Sequence, residues 1–214
     1  MSPAAVLAQS FDALVKWAMT PDRQDDVVAA RAEYTALGGE VFEEDRQLEL
    51  RLAGFLEFYV CDRIAPWAGV TPARARYLSA LASEPPAQAA VWRAFTDTWH
   101  GLFRVFRLFD GGVRLEGLSS GTEVEVVEQR PLHGVSAGDV LEARLVPLAG
   151  DVRFSGAWVW HPHEAAPLIV HEASRRRLAG RSERELLFDC ARRSLKADRY
   201  RQIAIARIYD FGSG

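Results

Sequence analysis

The sequence is short of lysine, of cysteine and of long apolar runs. Only Lys16 and Lys196 interrupt a run of arginines among its 26 basic residues, a bias that points to a GC-rich genome rather than to an activity. Two cysteines, Cys61 and Cys190, are too few for a disulfide framework or a four-cysteine zinc site. A reduced, cytoplasmic protein is the expectation. No apolar stretch reaches the roughly 18–20 residues that cross a bilayer. The first twenty residues lack a basic start, and Asp12 breaks their apolar run, so no secretory signal is expected there. Neither a Gly-x-Gly-x-x-Gly turn nor a Walker loop is present, which removes the commonest glycine signatures of nucleotide binding.

What is present suffices for a packed core. Of 214 residues, 49% are hydrophobic and 26% charged. A formal charge of -3 argues against a chain that binds nucleic acid over its whole surface. The charge is uneven, however. Residues 21–51 carry nine acids against four bases, and residues 172–201 carry ten bases against five acids. The two stretches either face each other or each face a partner.

Apolar spacing divides the chain. Ser2-Pro3, Thr20-Pro21, Thr71-Pro72 and Pro85-Pro86 each read as a helix start. The longest helix of this half is expected over 43–63, and from Leu52 to Ile64 it is apolar nearly all round, as a central helix is. The fifth helix is expected to carry Trp92, Phe95 and Trp99. The period then falls from 3.6 to 2. Strands are expected over 102–109, 113–118, 123–126, 139–148 and 152–161, separated by turns such as Asp110-Gly111-Gly112 and Ala149-Gly150-Asp151. A loop with Pro131, Gly134 and Gly138 precedes the last hairpin. Beyond Pro162 a helix over 167–178 is expected to stop at Gly180, and Ser182 with Glu185 reads as a capping box for another. From Arg201 onward helix and strand are both compatible, and the Gly-Ser-Gly end reads as a frayed terminus. The fold class is therefore α+β: an N-terminal helical bundle packed on a small antiparallel β-meander or partial barrel, with C-terminal helices. The regions are 1–101, 102–162 and 163–214, read as one unit with soft boundaries.

A sequence order carries a resemblance. Phe55-Leu56-Glu57-Phe58-Tyr59 with Cys61-Asp62-Arg63 is followed by Leu102-Phe103-Arg104-Val105 and by Gly112-Val113-Arg114-Leu115-Glu116-Gly117. Ala137-Gly138-Asp139-Val140-Leu141-Glu142 and Phe154-Ser155-Gly156 come next. Over about residues 45–165 this order resembles a segment of uncharacterised bacterial proteins, some of which end in a cysteine-rich SEC-C motif. That motif is absent here, and Gly117 stands where such relatives carry an aspartate. The resemblance implies a helical-plus-β fold and a bacterial setting, and no catalytic residue.

Four residue groups bear on chemistry. His161, His163 and His171, with Glu164 and Glu172, are the densest set of potential zinc ligands; the plainer reading is a polar turn where a strand meets a helix. Asp97 and His100 stand three apart on the expected fifth helix and pair as an acid–base couple or a helix-end ion pair. Cys61 and Cys190 fall on apolar faces and read as packing residues. Arg175, Arg176, Arg177 and Arg181, with Arg184 nearby, form the strongest electrostatic feature, and arginine holds phosphates and carboxylates well. Ser119-Ser120-Gly121-Thr122 reads as a hairpin turn or an anion nest. A β-meander with such a turn and with arginines also resembles the PilZ domains, whose Arg-x-x-x-Arg precedes the barrel; here Arg177 and Arg181 have the spacing but follow it.

The expectation is a non-enzymatic adaptor or regulator. It would act through a protein partner at Arg175, Arg176, Arg177 and Arg181, with no cofactor. The alternative is nucleic-acid or nucleotide-phosphate binding by the β region and the 175–184 segment. A metal-dependent enzyme built on His161, His163 and His171 is the third reading.

Overall fold

Helix α1 (Pro3–Ala18) begins where the Ser2 hydroxyl accepts the Ala5 N–H, with proline in the first turn. Helix α4 (Pro72–Ser83) repeats the device with Thr71 and the Arg74 N–H. Between them lie α2 (Gln24–Gly38) and α3 (Leu48–Glu57), and α5 (Pro86–Ala94) follows. The structure, a computed structural model, describes residues 2–130 and 132–212. Pro131 of the expected loop and Ser213-Gly214 of the expected terminal fray lie outside the described residues.

The central helix does not run unbroken to Arg63. After α3 it widens into a five-residue π-helix, Phe58–Asp62, in which the Arg63 N–H reaches the Phe58 carbonyl. Its apolar side chains meet neighbours on several sides. Phe58, Tyr59 and Val60 are buried in one core with Leu14 and Ala30, and helices α1, α2 and α4 pack around the π-helix.

Five strands form one antiparallel sheet: β1 (Trp99–Phe109), β2 (Gly112–Gly117), β3 (Glu123–Val127), β4 (Val140–Leu148) and β5 (Asp151–Trp160). Their order is β3-β2-β1-β4-β5. The long β1 serves two partners, β4 from Trp99 to Arg104 and β2 from Phe103 to Phe109. The edges β3 and β5 curve toward each other without pairing, so the sheet is an open, partial barrel. Its inner face buries Phe103, Val105, Leu115, Leu141, Leu145 and Phe154.

The outer face of β4 is also covered. Val140 joins the C-terminal helices and Val146 joins the N-terminal helical core. The C-terminal helices are α6 (Ala166–Leu178), α7 (Glu183–Arg199) and the short α8 (Ile205–Ile208), which decides the segment that sequence left open in favour of helix. They bury Ile169, Leu186, Leu187, Cys190 and Tyr209 against Leu102. None of the described helices is long and apolar enough to cross a membrane.

Two local expectations change. Trp99 and His100 open β1 rather than close the fifth helix, because pairing with β4 starts at Trp99↔Leu145. Ser182 does occupy the N-cap of α7, but its hydroxyl makes no capping bond.

Gly117 has a packing reason. A Cβ there would lie 2.2 Å from the Trp99 ring. Gly117→Ala is expected to cost about 1–3 kcal/mol by overpacking. Urea unfolding checks this; an unchanged midpoint would show that the ring moves aside freely.

Candidate functional site

Two places concentrate polar chemistry. The first is a buried ionic network on the outer face of β4, between the two helical cores. In a π-helix residues five apart come onto one face. Glu57, the residue before this one, and Asp62, its last, both reach Arg144: Glu57 at its Nε at 3.3 Å and Asp62 at a terminal nitrogen. The third arm of the guanidinium donates to the Thr98 hydroxyl at 2.9 Å. Arg144 is only 2% exposed.

A bulge in β5 completes the setting. Ala143 faces Trp158 and Leu145 faces Phe154, so Ser155, Gly156 and Ala157 together stand opposite Arg144. The freed Ala157 N–H donates to Glu57 at 3.0 Å. Beside Arg144, His100 lies 3.6 Å from Asp62 and 3.6 Å from Glu142. Glu142 in turn takes Arg51 at 3.3 Å, and Arg51 also donates to the Ala191 carbonyl of α7. Near this end the His161 Nδ1 and the Tyr209 hydroxyl share a hydrogen bond of 2.9 Å.

Burial and neighbouring charge oppose each other here. Burial raises Asp62, but His100 and Arg144 outweigh it and hold the carboxyl near 2. Burial likewise raises Glu142, and Arg51 with His100 brings it to about 2. For Glu57 burial wins, and its pKa stays raised despite Arg144. Burial and Arg144 lower His100, yet its two carboxylates leave it raised overall. With His100 protonated, three cations face the three carboxylates. For His161 burial, with Arg51 in the same sense, outweighs the raising effect of Glu142 and lowers it to about 4.

This arrangement ties α3, the π-helix, β1, β4 and α7 together. Four cavities of the described residues have linings that leave out Asp62, His100, Glu142 and Arg144. Burial pushes the adjacent Cys61 thiol up to about 12 and raises Cys190 further, so both stay protonated at neutral pH.

The second place is the arginine segment, which the structure divides. Arg175 clamps Glu172 through two nitrogens, at 2.8 and 2.9 Å. Arg176 bridges Glu172 and Asp189, each at 2.6 Å. Those two charges are thus satisfied within the chain. The side chains of Arg177 and Arg181 make no hydrogen bond or ion pair among the described residues. A six-residue wrap ends α6: the Arg181 N–H reaches the Arg176 carbonyl, the Gly180 N–H reaches that of Arg177, and Gly180 adopts φ +64°. This turn sends Arg181 to the same cavity as Arg177, a space of about 260 Å³ that Ser119, Ser182 and Glu183 also line. The β2–β3 turn lies against it, since a Cβ on Gly121 would sit 3.3 Å from an Arg177 nitrogen.

The acidic and basic stretches do meet in part. Arg199 binds Asp45, and Arg192 donates to the Leu37 carbonyl. Of the histidines, His161 and His163 line one cavity with His133 and Asp139. His161 is engaged by Tyr209, His163 by Asp139 at 2.6 Å, and His171 is on the exposed side of α6. No group of three or more potential ligands is arranged to hold a metal ion among the described residues. Asp97 bonds Arg93 and not His100.

No family model, curated protein or solved structure matches the chain.

Proposed function

We propose that this chain is a non-enzymatic interaction module of the bacterial cytoplasm that takes an acidic group of a protein partner at Arg177 and Arg181. One observation carries the reading: the Arg177 and Arg181 side chains line one cavity with Ser119, Ser182 and Glu183, and neither is paired with a carboxylate among the described residues. Arginine presents paired donors that match a carboxylate or phosphate fork, and the charge-assisted bonds to such a group offset the water that both lose. Arg176 instead holds α6 to α7 through Asp189, and Arg175 is bonded to Glu172 within α6. The resemblance over residues 45–165 supports the bacterial setting.

The outer sheet face favours a protein over nucleic acid. A partly open five-stranded barrel is a scaffold that can bind oligonucleotides. Here, however, Arg104 is bonded to Glu116 and Arg114 to Glu123 and Glu125, so that face offers little net positive field. Affinity purification from native lysate, with and without nuclease and read by mass spectrometry, tests the choice. A discrete protein retained after nuclease is the expected result. Loss of all captured material on nuclease treatment would transfer the arginine cavity to nucleic-acid binding.

A further inference from the structure

Arg153 on β5 is buried yet incompletely bonded. It is only 8% exposed. One terminal nitrogen donates to Asp151 at 2.7 Å. Its Nε–H is also out of solvent and meets no acceptor. A buried charged donor left open is costly, and native structures rarely leave one without a partner.

The same side chain lines a predominantly apolar cavity of about 530 Å³, where α1 crosses the outer face of β4 and β5. Leu7, Phe11, Leu56, Phe95 and Val146 supply its apolar walls. Small-molecule sites commonly span ~300–1,000 Å³, apolar with a few convergent polar groups. Ser155 stands two residues from Arg153, on the same side of the strand, and lines the cavity too. Its hydroxyl lies near Glu57 without closing a hydrogen bond to it. Two acids also reach the cavity. Asp12 is exposed at its mouth, and Glu128 is held by Arg130 at 2.8 Å.

We infer that this cavity binds a small amphipathic carboxylic acid, with its chain against Phe11, Leu56 and Phe95 and its carboxylate on Arg153. The head group takes the Nε–H that Asp151 leaves open, together with the Ser155 hydroxyl. Charge-assisted bonds of this kind are about twice as strong as neutral ones, which selects an acid over an alcohol of equal length. The site is separate from Arg177 and Arg181.

Isothermal titration of the intact chain with decanoate, and with decanol as the uncharged comparator, tests the assignment. Decanoate is expected to bind with a Kd on the order of micromolar, and decanol about tenfold or more weaker. Arg153→Met keeps the apolar stem and is expected to weaken decanoate about tenfold or more while leaving decanol unchanged. Ala8→Trp, at an exposed position on the cavity wall, is expected to abolish both, and R177E/R181E to alter neither. Circular dichroism confirms the fold of each variant; if R153M does not fold, the decanol comparison and Ala8→Trp still decide. Absence of decanoate binding up to the millimolar range would overturn the inference. So would equal affinity for decanol, binding that survives Ala8→Trp, or native mass spectra showing a second copy of the chain as the occupant.

Discussion

Arg144→Met is expected to destabilise the protein by about 3–5 kcal/mol, the cost of leaving buried carboxylates without their cation. Glu57 and Asp62 both depend on this guanidinium, and Glu57 is 3% exposed. Its remaining donor, the Ala157 N–H, cannot neutralise it. The Thr98 hydroxyl loses its partner as well. A companion variant separates charge from packing. Glu57→Gln/Asp62→Asn/Arg144→Met removes the stranded charges together and is expected to recover part of the loss, because uncharged replacements avoid the desolvation that the ion pairs had to offset. Urea unfolding at neutral pH reads both. A loss below about 1 kcal/mol for Arg144→Met would show that water reaches the network and screens it.

Acid is expected to remove about 3 kcal/mol of stability between pH 6.5 and pH 4 through His161 alone, from its displacement out of the ordinary 6.5 to about 4. In that window the unfolded chain binds a proton at His161 that the folded chain refuses, so falling pH favours unfolding. The loss is complete below the folded value. Its surroundings explain the refusal: the ring is buried, its Nδ1 is engaged by Tyr209, and its Nε2 meets no acceptor. His100 acts in the opposite sense. Its pKa is raised, so its contribution is fully present below 6.5 and is lost as pH rises through its folded value. Stability is thus expected to be greatest near neutral pH. Asp62 and Glu142, both held near 2, add a further loss only as pH falls below their ordinary values of 3.8 and 4.5. Unfolding midpoints from pH 7.5 to 4.5 check this, and His161→Gln is expected to flatten the slope between 6.5 and 4.5. A wild-type stability constant over that range would refute the assignment.

The two halves of the candidate chemistry were unequally legible. Helix starts at Ser2, Thr71 and Pro86 and the period change near residue 100 are local signals, and the elements form where those signals stand. The ionic network is not local. In β4, Glu142 and Arg144 alternate with Leu141, Ala143 and Leu145, a pattern that ordinarily sends the polar set to water. Here that face is covered by α3 and the π-helix, and the alternation conceals burial on both sides. His100 was misplaced because the helix-compatible run through Trp92 and Phe95 continues into a strand that only its distant partner β4 defines. One signal was available. Glu57 and Asp62 are acids inside a stretch that is apolar nearly all round, and a buried acid requires a cation from elsewhere. The arginine segment was visible as composition, but its division into clamped and open members depends on where Glu172 and Asp189 point.

That division bears on function. An arginine bonded to a buried glutamate is part of the fold, whereas an arginine that lines a cavity with no carboxylate bonded to it is available to a partner. The most direct measurement is capture from nuclease-treated lysate with wild type, R177E/R181E and the control R201E/R207E, whose residues are exposed at the end of the basic stretch and just beyond it. A discrete protein retained by wild type and by the control and lost with R177E/R181E is the expected result. Equal capture by all three would contradict it.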